Sequence, residues 1–136
     1  MTPKSQQDTK SWEQVERKPP PKQGFDRHPA KVWLEVVTGP HAGRTLPLTG
    51  GVARIGRGSH MDLVLDKDNK VSRHHAEIVL SDAGEFVLAD VGSEIGTRLQ
   101  GNDLQGKTAR LRDGDRIGLG ATELIYRDKR PNNKAQ

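Results

Sequence analysis

A chain of 136 residues has room for one domain and its tails. It contains no cysteine, which excludes disulfides and thiolate metal sites. The net charge of +4 belongs to the ends: residues 1–29 carry +2, residues 127–136 carry +3 and residues 30–126 carry −1. A nucleic-acid-binding domain would concentrate Lys and Arg in its folded part, so the charge argues against that class.

In chain order, residues 1–29 are polar and hold five of the eight prolines, three of them consecutive at Pro19–Pro21. Such a segment buries too little apolar surface to offset its ordering entropy, and a disordered arm is expected. Its opening MTPKSQQDTK lacks the apolar run of a signal peptide. Charges or glycines interrupt every apolar segment before it reaches the length of a membrane span, so a cytoplasmic protein without membrane contact is expected.

Residues 30–126 read as β-structure throughout. KVWLEVV alternates Val32, Leu34 and Val36 as a half-buried strand and stops at TGPHAG. RTLPL, VARIG and DLVLD follow, then a charged DKDNK that reads as a solvated turn. HAEIVLSD and EFVLADV flank Ala83-Gly84 as a hairpin. TRLQ, NDLQ, TARLR, DRIGLG and TELIYRD complete about eleven short strands. No window has helical periodicity, and many short strands joined by polar turns predict a β-sandwich or barrel. RDKRPNNKAQ, residues 127–136, reads as a second disordered tail, basic in character.

Within this pattern the candidate chemistry lies in loops. RIGRGSH ends a strand at Gly56 and projects Arg57, a guanidinium suited to bidentate recognition of an oxyanion. VSRHHAEI carries Ser72, Arg73, His74 and His75. Adjacent strand residues face opposite sides, so His74 and His75 do not form a metal pair, and neither HExxH nor GxSxG is present. The spacing of Ser72 and His75 suits a tight turn in which the imidazole fixes the serine's loop. DKDNK lacks the glycine and distal glutamate of a calcium loop, and no helix follows Gly118 and Gly120 as a nucleotide loop would require. No enzyme, metal or cofactor is expected.

The series RIGR, DLVL, VSRHHAEI, DVGSEIGT and LRDGDRIGLG, in this order and spacing, resembles the forkhead-associated (FHA) domain family across residues 30–126. The resemblance implies an eleven-stranded antiparallel β-sandwich whose loops at one end bind phosphothreonine in a partner protein, as an adaptor in Ser/Thr kinase signalling. It assigns phosphate binding to Arg57, Ser72 and Arg73, and support of the site to Gly56, His75 and Thr97. Ser93, Glu94, Ile95 and Gly96 fall in the peptide-contacting loop. There the family usually reads Ser-Thr-Asn-Gly-Thr, and Ile95 cannot make the peptide hydrogen bond of that asparagine. Glu94 adds a negative charge that opposes phosphate unless it turns outward.

Two further partners follow from these residues. Thr2 and Thr9 lie in the N-terminal arm, where a phosphorylated threonine could return to the domain's own site at high effective concentration. Alternatively, the Ile95 loop forms an apolar patch and the domain is a phosphorylation-independent interaction or oligomerisation scaffold.

Overall fold

The computed structural model describes residues 30–131. Thr2, Thr9, the rest of the 1–29 segment and residues 132–136 lie outside the described residues. Eleven strands occur where the alternation places them: β1 (Val32–Thr38), β2 (Thr45–Pro47), β3 (Val52–Gly56), β4 (Leu63–Val64), β5 (Ala76–Leu80), β6 (Phe86–Asp90), β7 (Arg98–Leu99), β8 (Asn102–Asp103), β9 (Thr108–Arg110), β10 (Arg116–Leu119) and β11 (Thr122–Asp128). They form a six-stranded sheet in the order β2-β1-β11-β10-β7-β8 and a five-stranded sheet in the order β4-β3-β5-β6-β9. No helix occurs among the described residues, and hence none long and apolar enough to cross a membrane.

The core lies between the sheets and takes alternate residues from each long strand. Val32, Leu34 and Val36 of β1 meet Leu124 and Tyr126 of β11 in this layer, with Ile55, Ile78, Leu88 and Ile117 among the side chains that complete it. Each fully buried aliphatic side chain stabilises by about 1.5–3 kcal/mol relative to exposure, which the short strands require, because few of their backbone bonds are local. The hairpin of β5 and β6 closes through the Gly84 N–H to Ser81 carbonyl bond at 2.9 Å.

Three features depart from the sequence pattern. Strand β1 is buried on both faces, since Trp33 and Glu35 are covered as well. The Trp33 indole donates to Glu35 Oε2 at 2.9 Å, and Arg127 Nε lies 3.7 Å from the same carboxylate oxygen. A polar ladder thus covers the face that alternation leaves open to water. Secondly, the sandwich is not wholly antiparallel: β3 and β4 pair in parallel, with Ile55 opposite Leu63. A short return is sufficient because β4 has only two residues and Asp62 anchors it, accepting from Arg54 N–H at 2.8 Å and donating its own N–H to the Arg54 carbonyl at 2.9 Å.

Thirdly, the ordered sheet passes the expected boundary at residue 126. Strand β11 includes Arg127 and Asp128, Lys129 N–H bonds the Lys31 carbonyl at 2.8 Å, and Arg130 is fixed on the sandwich. Arg130 holds Asp128 with a fork of Nε and Nη2 at 2.9 and 2.8 Å, donates to the Gly84 carbonyl at 2.9 Å and covers the Phe86 ring. Its charge is consumed in closing the sandwich, so the basic residues nearest β11 are part of the fold.

Candidate phosphate-binding loops at one end of the sandwich

Strand ends β3, β4, β6 and β10 deliver four connections to one end of the molecule: residues 57–62, 65–75, 91–97 and the 120–121 turn. Their arrangement begins with a glycine. A Cβ at Gly56 would overlap the Arg73 carbonyl oxygen and lie 2.9 Å from that of Ser72, so only glycine lets the end of β3 approach the 65–75 loop. This approach makes two main-chain bonds, Arg57 N–H to Ser72 O and Gly58 N–H to Arg73 O, each 3.0 Å. The Arg57 side chain turns along the same loop and donates Nε–H to the Val71 carbonyl at 2.6 Å. Its terminal nitrogens make no hydrogen bond to the described residues, and the exposed Arg73 guanidinium makes none either.

His75 is fully buried and joins two loops. Its Nδ1 accepts the Ser72 N–H at 3.1 Å, which leaves Nε2–H to donate to the Gly96 carbonyl at 2.9 Å. One neutral tautomer satisfies both bonds. His74, on the other side of the chain, faces Glu77 with Nε2 2.8 Å from Oε2 and takes no part in this junction.

The 91–97 loop is organised from within by Asp90. Its carboxylate accepts the N–H groups of Gly92 and Ser93, both at 2.9 Å, and the hydroxyls of Ser93 and, at 2.7 Å, Thr97. Ser93 Oγ accepts the Gly96 N–H in turn at 2.9 Å. Burial alone would raise the Asp90 pKa, but the bonds from Ser93, Thr97 and the two main-chain groups prevail and hold it at about 2. Thr97 is buried in this network, while Glu94 and Ile95 stand exposed at the loop's tip. Across the junction, Glu94 N–H donates to Ser72 Oγ at 3.0 Å. One lone pair of that hydroxyl is therefore engaged, and its proton is free to be given to an acceptor.

The structure thus brings Gly56, Arg57, Ser72, Arg73, His75 and residues 93–97 into one junction of three loops. Two contributors escape the sequence reading. Asp90 looks like the last residue of a strand. Asp68 stands in DKDNK, which is not a solvated turn throughout: Asp68 is 4% exposed, and its carboxylate accepts from Thr122 Oγ1 at 2.7 Å, Ala121 N–H at 2.9 Å and Lys70 N–H at 3.1 Å. The 65–75 loop is thereby tied to the 120–121 turn of the other sheet. Burial raises the Asp68 pKa and these bonds, Thr122 foremost, bring it below the usual carboxylate value. His41 of the 39–44 connection holds the same loop, with Nε2 3.1 Å from Asp66 Oδ1.

Comparison with known proteins agrees with this architecture. The FHA domain family model matches residues 53–120, half of the chain. An FHA domain-containing protein of Arabidopsis thaliana is 39% identical over 89 residues, which cover 64% of this chain and 23% of that protein. The chain spans about a fifth of the length of the curated relatives it matches. Among solved structures, an FHA domain analysed for phosphothreonine-dependent interactions is 38% identical at a TM-score of 0.62, covering 71% of this chain and 94% of that one. EmbR of Mycobacterium tuberculosis, solved with a low-affinity phosphopeptide, is 34% identical at a TM-score of 0.63, covering 72% and 24%. With its two-sheet sandwich and the family match across the three-loop junction, the chain belongs to the FHA domain family.

Proposed function

We propose that this domain binds a phosphothreonine-containing segment of a partner protein, as an adaptor downstream of Ser/Thr kinases. The carrying observation is that the residues of one loop junction carry donors without acceptors among the described residues: the terminal nitrogens of Arg57, the guanidinium of Arg73 and the free proton of Ser72. A phosphothreonine brings about −1.5 to −2 charges and three acceptor oxygens, the complement of this donor set. Charge-assisted bonds of this kind contribute about 1.5–3 kcal/mol each. Recognition is prepared in the free protein, because Gly56, His75 and Asp90 hold the loops before any ligand arrives.

The phosphopeptide-bound and phosphothreonine-dependent FHA domains among the structural relatives support this reading at the family level. Residues Arg57, Ser72 and Arg73 are the proposed phosphate ligands, with Ser93, Glu94, Ile95 and Gly96 flanking the peptide. No group in this junction is arranged as a nucleophile with its base, so binding is the chemistry the arrangement supports. The test is calorimetric titration with a degenerate phosphothreonine peptide library, its unphosphorylated twin and the Arg57→Ala variant. Binding that requires both the phosphate and Arg57 is the expected result. Equal binding of the unphosphorylated twin, unchanged in Arg57→Ala, would instead favour the scaffold reading, to which the 42% exposure of Ile95 gives its one specific support.

A further inference from the structure

The sandwich has a side opening where β2, the edge of the six-stranded sheet, faces the first half of β3. Strand β4 is too short to close it, because it pairs only with Ile55 and Gly56 at the far end of β3. The last residues of β3 lead into the phosphate loops, so the opening at its first residues lies towards the other end of the molecule. It forms a groove of about 120 Å³ lined by Leu46, Leu48, Val52, Ala53, Ile78 and Phe86, with Asp62 as its charged member. Apolar cavities of about 150 Å³ accept a benzene ring, so there is room here for one large apolar side chain. Val52 is 38% exposed on this groove.

The backbone beside the groove is open as well. Leu80 N–H bonds the Gly51 carbonyl at 3.2 Å, which makes Val52 and Val79 a non-hydrogen-bonded pair of the antiparallel ladder. The Val52 N–H and C=O therefore point away from β5, towards the uncovered edge. Arg54, two residues on, has the same orientation and is satisfied: Asp62 accepts its N–H at 2.8 Å and donates to its carbonyl at 2.9 Å. Val52 has no such partner among the described residues. An apolar slot thus stands next to an unpaired peptide edge, which offers an extended segment both a side-chain pocket and main-chain bonds.

The chain itself supplies a matching segment at this place. Leu48 N–H bonds the Val32 carbonyl at 2.8 Å, so the lip of the groove stands beside the start of β1, and the chain bends at Ala30 and Lys31 as it enters that strand. The residues just before read Gly24-Phe25-Asp26-Arg27-His28-Pro29. Phe25 is the one large apolar side chain among these six, and the five steps from Ala30 to Phe25 span about 17 Å when extended. Alternate residues of an extended segment share a face, so Arg27 accompanies Phe25 and brings a cation towards Asp62. We propose that residues 24–29 dock along the open edge of β3, with the Phe25 ring in the groove and Arg27 beside Asp62. Docking covers Val52 and closes an edge that otherwise invites pairing with a second chain. It fastens the N-terminal segment away from the phosphate ligands and stands whether or not those bind phosphothreonine.

The full chain contains no cysteine, so Gly24→Cys gives it a single site for a nitroxide tag. The expected result is a loss of amide signal confined to residues 46–53 and Asp62, with residues 93–97 unaffected. Adding Phe25→Ser to the tagged chain abolishes that pattern, and Val52→Lys abolishes it from the side of the groove. In the untagged chain, exchange of the Val52 N–H is slower than in Phe25→Ser by about fivefold or more. Signal loss that is absent, spread evenly over the surface or unchanged by Phe25→Ser overturns the proposal. Tagged chain mixed with untagged, isotope-labelled chain tests the other occupant. Loss at the groove in that mixture, without loss in dilute tagged chain, assigns the groove to a second copy and overturns the proposal too. Phe25 lies outside the sandwich and Val52 is exposed, so both substitutions leave the core intact, as the remaining amide signals will verify.

Discussion

Two of the loops at the site end are each organised by one carboxylate, in opposite ways. Asp90 bonds only within its own turn, to Gly92, Ser93 and Thr97. Asp68 reaches across the sandwich to Ala121 and Thr122, more than fifty residues away in sequence. The 91–97 loop is therefore ordered largely from within, with His75 and Ser72 joining it to its neighbour, whereas the 65–75 loop also leans on the opposite sheet. His75 and Gly56 are where the two designs meet, because one bridges the loops and the other admits the end of β3 to them.

The largest expected break in this arrangement is Gly56→Ala. The methyl must displace the Arg73 carbonyl, which costs about 3 kcal/mol and lowers the midpoint of chemical denaturation accordingly. His75→Ala leaves the Ser72 N–H and the Gly96 carbonyl without their partner and costs about 2–3 kcal/mol. Amide exchange will then accelerate in both loops. Asp90→Ala, at about 2 kcal/mol, will accelerate exchange most in residues 91–97 and less in the 65–75 loop. Asp68→Ala will cost about 1–2 kcal/mol and do the reverse, extending its effect to residues 119–122 of the other sheet.

The same contrast can be read by acid titration. The folded-state pKa of Asp90 lies at about 2, below its ordinary value of 3.8. Its ionised form is thus favoured by folding, and its contribution is complete above about pH 4 and lost as pH falls towards 2. Thermal melts of the wild type and Asp90→Asn should therefore converge across that window. The smallest expected effect is that of Glu94→Gln. Removing an exposed negative charge near the proposed phosphate ligands should tighten phosphopeptide binding about twofold at low salt and less at physiological ionic strength.

These contrasts also explain what could be read in the sequence. The longer strands were legible because each carries a period-two pattern, and the shortest ones because glycines and polar turns bound them. The three loops of the site were legible only in combination, since Arg57 alone is one surface arginine among many. Asp68 was hidden because five polar residues in a row look solvated, and the partners that bury it come from the distant β10–β11 turn. The parallel pairing of β4 was equally hidden: two residues carry no directional pattern. The end of β11 was obscured by composition, because Arg127, Asp128 and Arg130 count as tail-like charge until Phe86, Gly84 and Asp128 itself are seen to receive the last of them.

The internal bonding of the 91–97 turn has a practical consequence for engineering. Its anchors, Asp90, Ser93, Gly96 and Thr97, are separate from the two side chains at its tip. The side chains at positions 94 and 95 can therefore be varied as an exchangeable cassette while the folded framework stays constant. A library confined to those two positions would vary the surface beside the proposed phosphate ligands on one shared framework.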